Sequence, residues 1–319
     1  MENKFNSYFK NQLNDFYEYK VSCGYSYKSE LYKLIVFDKY LCKNNVTELN
    51  KEYQITFLNS LNIKNSSKLE YSSVLREFSK YLLSKYNINV YILPRKLYTR
   101  KGENYIPYIF SEQEIKLFFN TIDNIDVQNE LKKDMMTVIF KLLYCTGMRI
   151  GECLNIKIYD IDFDNNAIVL RNTKNGTDRR IIINEELKNV LKELHDKYNK
   201  EKSINEYFFR NNNDNKYNNN SIYNYFRKIL YYSKIQHSEK GPRIHDFRHT
   251  FCVKSLKKII EEEKDINVYI PVLSAYVGHK NFKGTEYYLR LTAEMYPYIR
   301  NQIEEYTNNI IRKLGDFDE

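Results

Sequence analysis

The chain has 319 residues and a mass of 38.6 kDa, a length typical of two domains. Hydrophobic residues make up 42% and charged residues 29%, which is enough apolar material for packed cores and argues against a disordered chain. The net charge is +9, and a basic balance of this size favours a polyanionic partner.

No apolar run reaches the roughly 18 residues needed to span a bilayer, and the first ten residues lack the apolar segment of a signal peptide. We therefore expect a cytoplasmic protein with no membrane partner. The five cysteines are scattered and include no C-x-x-C pair, which argues against a disulfide framework and against a structural zinc site. No metal and no cofactor is predicted.

Residues 1–93 are predicted to form an all-helical domain. Apolar residues recur at helical spacing through residues 5–93, with no convincing strand alternation before Tyr91. Ser66 or Ser67 is expected to cap the last helix, which runs to about Tyr86. Pro94 and the polar stretch after it interrupt this periodicity, so residues 94–107 are predicted to be a linker.

Basic residues are concentrated at the end of this helical domain. Between Lys64 and Lys101 there are nine basic residues and two acidic ones, a net charge of +7. A solvated helix face would look similar, but the concentration on one helix and the linker favours a phosphate-binding surface. The predicted phosphate contacts are Lys64, Lys68, Arg76, Lys80, Arg95, Lys96, Arg100 and Lys101.

Residues 108–300 have mixed patterns. A Ser-x-x-Glu capping box at Ser111 begins a helix, and an apolar helix over 131–147 ends at Gly147. Two or three strands joined by Asn-Asn and Asn-Gly turns follow within 156–184. Helices are then predicted at 185–199, 219–234, 246–262, 267–278 and 283–294. Because the strands cluster together, the predicted fold is mainly α with a small antiparallel sheet, an α+β arrangement.

Three segments of this second half stand out: TGMRIGECLNI (146–156), RIHDFRHTF (243–251) and LSAYVGHKNFKGTEYYLRLT (273–292). In order and spacing they resemble the signature boxes of the tyrosine recombinase (phage integrase) family. The resemblance extends from residue 108 to about residue 300, and the helical first domain is similar to the family's core-binding (SAM-like) domain. It implies that residues 108–300 form the catalytic domain and that residues 301–319 pack on a neighbouring protomer.

Breaking a phosphodiester without a metal requires a nucleophile, cationic donors around the phosphorane, and an acid for the leaving 5′-oxygen. The resemblance implies that Arg149 and Arg248 clamp the phosphate and that Glu152, on the same helical face as Arg149, supports that arginine. His245 would donate to a non-bridging oxygen or carry a proton, and His279 would hydrogen-bond the phosphate. His249 follows Arg248 directly and is expected to point elsewhere as a structural residue.

The nucleophile must be chosen between the adjacent Tyr287 and Tyr288, which lie about 100° apart on a helix. The family places its tyrosine nine residues after the Gly-His histidine, and this spacing selects Tyr288. The general acid implied by the resemblance is a lysine at a hairpin turn, here Lys174 beside Asn175-Gly176. Three nearby cations leave this assignment open: Arg171, Arg179 and Arg180.

The resemblance further implies double-stranded DNA as partner and a homotetramer acting on two DNA sites through a Holliday junction. The segment 285–299 favours an integrase of a mobile element, although a Xer-like enzyme remains open, and an accessory DNA-bending protein stays unknown. A type IB topoisomerase that relaxes DNA and a non-catalytic DNA-binding regulator with the same fold are the two alternative functions.

Overall fold

The structure is a computed structural model that describes residues 4–98, 107–125, 128–171, 178–236, 241–279 and 283–296. The chain divides into two compact units, Met1–Asn104 and Tyr105–Glu319. This division lies within the predicted linker.

The first unit is built on four helices. They are α1 (Lys10–Ser22), α2 (Lys28–Lys43), α3 (Lys51–Ser60) and α4 (Asn65–Tyr86). The helix α4 contacts the other three, and aromatic side chains dominate the core: Phe5, Phe9, Phe16, Phe37, Phe57 and Phe78 are buried. The described part of this unit contains helices and no strand, as its periodicity predicts.

The start of α4 differs from the prediction. The helix begins at Asn65, with the extended residue Lys64 preceding it and no side-chain cap. Ser66 and Ser67 therefore lie inside the first turn, and the predicted serine cap is wrong. The apolar pattern locates the helix, but the backbone leaves the extended conformation before either serine.

The second unit contains eight helices and a small sheet among its described residues. Its elements are α5 (Glu112–Asn124), α6 (Glu130–Thr146), α7 (Ile150–Cys153), a 3₁₀ turn (Ile158–Asp160), β1 (Ile161–Asp162), β2 (Ala167–Leu170), β3 (Arg179–Ile182), α8 (Glu185–Tyr198), α9 (Asn219–Tyr232), α10 (Asp246–Glu261), α11 (Ile266–Val277) and α12 (Lys283–Met295). The strands pair antiparallel in the order β1-β2-β3. The prediction of a mainly α fold with a small antiparallel sheet is confirmed.

Local sequence signals explain several of these boundaries. Ser111 and Glu114 form the predicted capping box at the start of α5. The helix α6 ends at Gly147, whose φ of 62° is left-handed. In the hairpin, Ile168 of β2 pairs with Ile161 on one side and Ile181 on the other, so an apolar row faces the core.

The helix α10 is central to this unit because it packs against α6, α11 and α12. Phe247, in its first turn, is buried and stacks on Phe110 with ring centroids 5.0 Å apart. Phe118, Phe140 and Phe226 also contact the Phe247 ring. This aromatic cluster holds the amino end of α10 beside the carboxyl end of α6, where two of the sequence boxes meet.

Candidate active site

Arg149 lies at the junction between α6 and α7. Gly147 turns the chain there, and a Cβ at this position would lie 2.4 Å from Phe251 Cδ1, so both conformation and space require glycine. Beyond the turn, the Arg149 guanidinium donates to Glu152 Oε1 at 2.8 Å and to the Gly278 carbonyl at 3.0 Å. The arginine of the first box is thus bonded to the backbone of the third.

Glu152 connects the elements around this arginine. Its carboxylate is 6% exposed and accepts from the Arg149 backbone N–H at 2.9 Å and from Arg179 at 2.8 and 3.1 Å. Arg179 in turn donates to the Tyr276 carbonyl at 2.9 Å. Burial alone would raise the pKa of Glu152, but the hydrogen bonds from Arg179 and Arg149 lower it to about 2. The carboxylate therefore stays ionised and joins α7, β3 and the end of α11.

Arg248 comes from the first turn of α10 and is 2% exposed. Its Nη1 donates to the Gly147 carbonyl at 2.8 Å. Its Nη2 is buried and meets no acceptor in good hydrogen-bond geometry within the part of the chain that the structure describes, with the Tyr288 hydroxyl as a neighbour of the guanidinium. Leaving a charged donor buried and unpaired is costly, so this nitrogen marks a position where an anionic oxygen would be stabilised.

Tyr288, on α12, lies against two histidines, His249 and His279, and is 4% exposed. Its hydroxyl is 2.8 Å from His249 Nδ1. The His279 ring stacks almost parallel to the tyrosine ring, with centroids 5.8 Å apart. His245 meets His249 edge to face at a centroid distance of 4.8 Å. The structure thus brings together the predicted residues of the second and third boxes.

The neighbouring Tyr287 is half-buried and lies on the apolar cluster formed by α10, α11 and α12. Its ring meets that of Tyr288 at 67°. The two tyrosines therefore occupy different surroundings, and it is the Tyr288 hydroxyl that reaches the histidine cluster.

The electrostatics of the cluster keep its histidines neutral. Loss of solvation and the positive charges of Arg248 and Arg149 lower the pKa of His279 to about 4. The same causes lower the pKa of His245, but burial contributes less there because this residue is exposed. Burial, followed by the neighbouring His245 and the arginines, lowers the pKa of His249 to about 3. Burial raises the pKa of the Tyr288 hydroxyl well above its usual range. The resting site is therefore a protonated phenol among neutral imidazoles.

Lys174 lies outside the described residues, as do residues 172–177 around it. The three cations that left its role open are each paired with a carboxylate: Arg171 with Asp160 at 2.7 Å, Arg180 with Asp162 at 3.0 Å, and Arg179 with Glu152. Arg179 is the one that joins the Arg149 cluster.

The predicted phosphate contacts of the helical unit occupy different surroundings. Lys64, Lys80, Arg95 and Lys96 are exposed, Lys68 and Arg76 are partly buried, and Arg100 and Lys101 lie outside the described residues. Two of these side chains have partners within the unit. Arg76 donates to the Pro94 carbonyl at 3.2 Å, and Lys80 pairs with Glu77 at 3.0 Å.

Sequence reasoning missed two members of the site. The expectation that His249 points away from the site is wrong, because it lies one helical turn after His245 and shares its face. In the sequence analysis, Arg179 was not distinguished from the nearby cations Arg171 and Arg180. Strand alternation separates it from Arg180, since the Arg179 side chain is 12% exposed and that of Arg180 is 49% exposed.

The described residues include neither a metal-binding cluster nor a membrane-spanning helix. Within them, no group of three or more His, Cys, Asp or Glu side chains is placed to hold a metal ion. Among the same residues, none of the helices is long and apolar enough to cross a membrane.

Several known proteins are similar to this chain in sequence. Residues 109–295 match the model of the phage integrase family. The integrase/recombinase y4rB of Sinorhizobium fredii is 24% identical over 301 residues, covering 91% of this chain and 95% of that protein. The tyrosine recombinase XerA of Saccharolobus solfataricus is 34% identical over 176 residues, covering 54% of this chain and 53% of XerA.

Solved structures share the fold. The XerH site-specific recombinase bound to palindromic difH substrate superposes with a TM-score of 0.62 at 19% identity, covering 82% of this chain and 75% of XerH. A lambda integrase tetramer bound to a Holliday junction gives 0.63 at 13% identity, with coverage of 87% and 76%. The Tn1549 transposon integrase with transposon right end DNA gives 0.60 at 16% identity, with coverage of 89% and 99%.

Because the family model matches more than half of the chain, the chain belongs to the phage integrase family of tyrosine recombinases. It is a site-specific recombinase.

Proposed function

We propose that this recombinase cuts and rejoins double-stranded DNA through a 3′-phosphotyrosyl intermediate formed on Tyr288. The Tyr288 oxygen would attack the scissile phosphorus, forming a phosphotyrosyl bond and releasing a 5′-hydroxyl. Religation is the reverse attack by a 5′-hydroxyl of the recombining strand.

The observation that carries this proposal is the buried, unpaired Nη2 of Arg248 in a site that also contains Tyr288. A phosphate oxygen would supply the missing acceptor and would compensate the charge of the guanidinium. Arg149, fixed by Glu152 and the Gly278 carbonyl, provides a second cation for the same anion. Two arginines around one phosphate stabilise the additional negative charge of the pentavalent transition state.

The remaining predicted residues have complementary roles in this proposal. His245 and His279 would donate hydrogen bonds to non-bridging oxygens, and Lys174 would protonate the leaving 5′-oxygen. The phosphotyrosyl bond retains the energy of the broken phosphodiester, so the reaction requires no nucleotide, and in this proposal the arginines supply the positive charge that a metal ion would otherwise provide. Cleavage is accordingly expected to proceed in EDTA.

The same proposal assigns roles along the chain. The helical domain, residues 1–93, and the linker 94–107 would bind the DNA backbone through their basic residues, and residues 108–300 would carry the chemistry. Four protomers would act on two DNA sites, with residues 301–319 packing on a neighbour. The lambda integrase tetramer on a Holliday junction supports this stoichiometry, and similarity to the Tn1549 transposon integrase supports a mobile-element role.

The proposal is tested by changing each of the adjacent tyrosines to phenylalanine. Tyr288→Phe removes the attacking oxygen, so this variant is expected to form no denaturant-resistant adduct with a nicked duplex while its DNA affinity stays within about threefold of wild type. Tyr287→Phe is the matched control and is expected to retain adduct formation. The measurement is a denaturing gel of labelled DNA with an electrophoretic binding assay alongside.

Two results would overturn the assignment. One is an adduct formed by the Tyr288→Phe protein but lost in the Tyr287→Phe protein. The other is cleavage that disappears in EDTA and returns with added Mg²⁺, which would require a metal-dependent mechanism.

A further inference from the structure

The nucleophile of the proposed reaction carries a proton that must leave as it attacks. Tyr288 is almost fully buried, and burial, with a further contribution from the Cys252 thiol, raises the pKa of its hydroxyl. At neutral pH the phenol is therefore protonated, and a phenol is a weak nucleophile. Water has little access to it, so a protein side chain must accept the proton.

The side chain in position to accept it is His249. Its Nδ1 lies 2.8 Å from the Tyr288 hydroxyl oxygen, within the distance over which a general base works. His279 lies against the face of the tyrosine ring instead, with the two ring planes only 7° apart. The stacked ring holds the phenol in place from the side.

A carboxylate lies on the opposite edge of the His249 ring. Asp246 Oδ1 is 3.9 Å from His249 Nε2, and this carboxylate is fully buried and accepts from the Arg243 backbone N–H at 2.6 Å. A negative charge beside Nε2 favours the tautomer that carries its proton there. The lone pair of Nδ1 then faces the phenol, and the aspartate stabilises the imidazolium that forms after proton transfer.

We infer that His249 is the general base that activates Tyr288, oriented by Asp246. As the bond between the Tyr288 oxygen and phosphorus forms, the phenol proton moves to His249 Nδ1. The bond from phosphorus to the 5′-oxygen breaks, and Lys174 gives its proton to that oxygen. Cleavage thus ends with an imidazolium at His249 and a neutral amine at Lys174, and religation returns both protons.

The charges around His249 couple this step to substrate binding. In the free protein, burial and the nearby cations hold the pKa of His249 at about 3, so the ring is neutral and ready to accept. The groups that face it are His245 and Arg243 before α10, Asp246 and Arg248 on α10, His279 after α11, and Tyr288 on α12. The negative charge of a bound phosphate compensates the cations among these groups. The pKa of His249 is therefore higher when the substrate is bound.

The inference rests on the proposed function and is tested with His249→Asn. The asparagine Oδ1 occupies nearly the position of His249 Nδ1, so it keeps a hydrogen-bond acceptor for the phenol but does not take its proton. Single-turnover cleavage is expected to slow by about 10²–10⁴-fold, the usual range for general base catalysis, while DNA affinity stays within threefold. His195→Asn, on α8, is the matched control and is expected to cleave at the wild-type rate.

A substrate with a sulfur in place of the 5′-bridging oxygen separates the base from the acid. A thiolate leaves without being protonated, so this substrate is expected to restore cleavage to Lys174→Ala but not to His249→Asn. If the asparagine variant does not fold, His249→Gln replaces it, because glutamine also has no basic nitrogen. The same slow cleavage, without rescue by the sulfur substrate, is expected.

Two results would overturn the inference alone. They are His249→Asn cleaving within threefold of the wild-type rate, and rescue of this variant by the sulfur substrate. In either case an adduct formed by wild type and lost in Tyr288→Phe would leave the proposed function intact. If wild type forms no adduct at all, the proposed function fails and the inference fails with it.

Discussion

The direction of the Arg149 side chain is determined by a carboxylate shared between two guanidinium groups. Glu152 accepts from Arg149 on one side and from Arg179 on the other, and all three side chains are at least partly buried. In this arrangement each arginine compensates part of the negative charge, and the carboxylate holds both arginines by hydrogen bonds. The orientation of Arg149, the proposed phosphate clamp, thus depends on a residue of the sheet.

This dependence leads to a prediction for Arg179→Gln. Removing Arg179 leaves the buried Glu152 carboxylate compensated by Arg149 alone, and breaking a buried ion pair costs about 3–5 kcal/mol. We expect the free energy of unfolding, measured by urea denaturation, to fall by this amount and DNA cleavage to fall with it. Arg180→Gln is the matched control, because its pair with Asp162 is largely exposed and such pairs contribute about 0–1 kcal/mol. Equal losses in the two variants would contradict the role of Arg179.

At the scale of single residues, the sequence predicts the site only in part. Box spacing selects Tyr288, and the structure places its hydroxyl rather than that of Tyr287 at the histidine cluster. The face of His249 follows from its spacing to His245 on the same helix, but its contact with Tyr288 was not predictable, because Tyr288 lies on α12, far away in the sequence. The same holds for Arg179, whose partner Glu152 lies on another element.

At the scale of elements, the carboxyl end of α6 and the amino end of α10 form the frame of the site. Gly147 allows the chain to turn closely around the Phe251 ring, and its carbonyl accepts from Arg248. The backbone turn that ends one helix is therefore also the support for an arginine on another.

Gly147→Ala is predicted to destabilise this frame. A left-handed conformation costs a residue with a Cβ about 1–2 kcal/mol, and the overlap with Phe251 adds roughly 1–3 kcal/mol. We expect the free energy of unfolding to fall by about 2–5 kcal/mol in chemical denaturation. Gly151→Ala is the control, because a Cβ there meets nothing within 4 Å. Equal free energies of unfolding for Gly147→Ala and Gly151→Ala would contradict this prediction, because the turn would then accommodate a Cβ.

Apolar periodicity and local signals predict most of the elements. The helices after the sheet match their predicted ranges within one to two residues at each end, since each has a strong apolar face and flanking turn residues. The predicted serine cap of α4 is wrong because the helix already begins at Asn65, which places Ser66 and Ser67 within its first turn. The central position of α10 was also not predictable, because it depends on which apolar faces meet in three dimensions.

At the scale of the whole molecule, charge is distributed unevenly between segments. The segment from Lys64 to Lys101 has a net charge of +7, against +9 for the entire chain. One of its two acidic residues, Glu70, pairs with Lys33 of α2 at 3.2 Å, and the other, Glu77, pairs with Lys80 and Lys20. Local pairing thus reduces the negative charge that would oppose DNA in this unit.

The predicted consequence is a steep salt dependence of DNA binding. Each lysine or arginine that contacts a phosphate changes the slope of log K against log salt by about −0.9 on duplex DNA. Replacing Arg95, Lys96, Arg100 and Lys101 with alanine is expected to reduce that slope by roughly 2–4 and to weaken specific and random duplexes by similar factors.

A control for net charge removes four exposed lysines of the second unit: Lys192, Lys200, Lys258 and Lys264. In this control the slope of log K against log salt is expected to change less than in the linker variant. An unaltered slope in the linker variant would exclude the linker from the DNA interface. A loss confined to the cognate site would mean that the linker reads bases or DNA shape.

The most direct test of the central claim is to identify the amino acid that becomes joined to DNA. Wild-type protein is incubated in EDTA with a nicked duplex, the adduct is digested with protease and nuclease, and the modified peptide is sequenced by mass spectrometry. The expected result is a 3′-phosphonucleotide on Tyr288, with a free 5′-hydroxyl on the released strand. A nucleotide on Tyr287, a link to a 5′-phosphate, or no adduct in the presence of the chelator would contradict it.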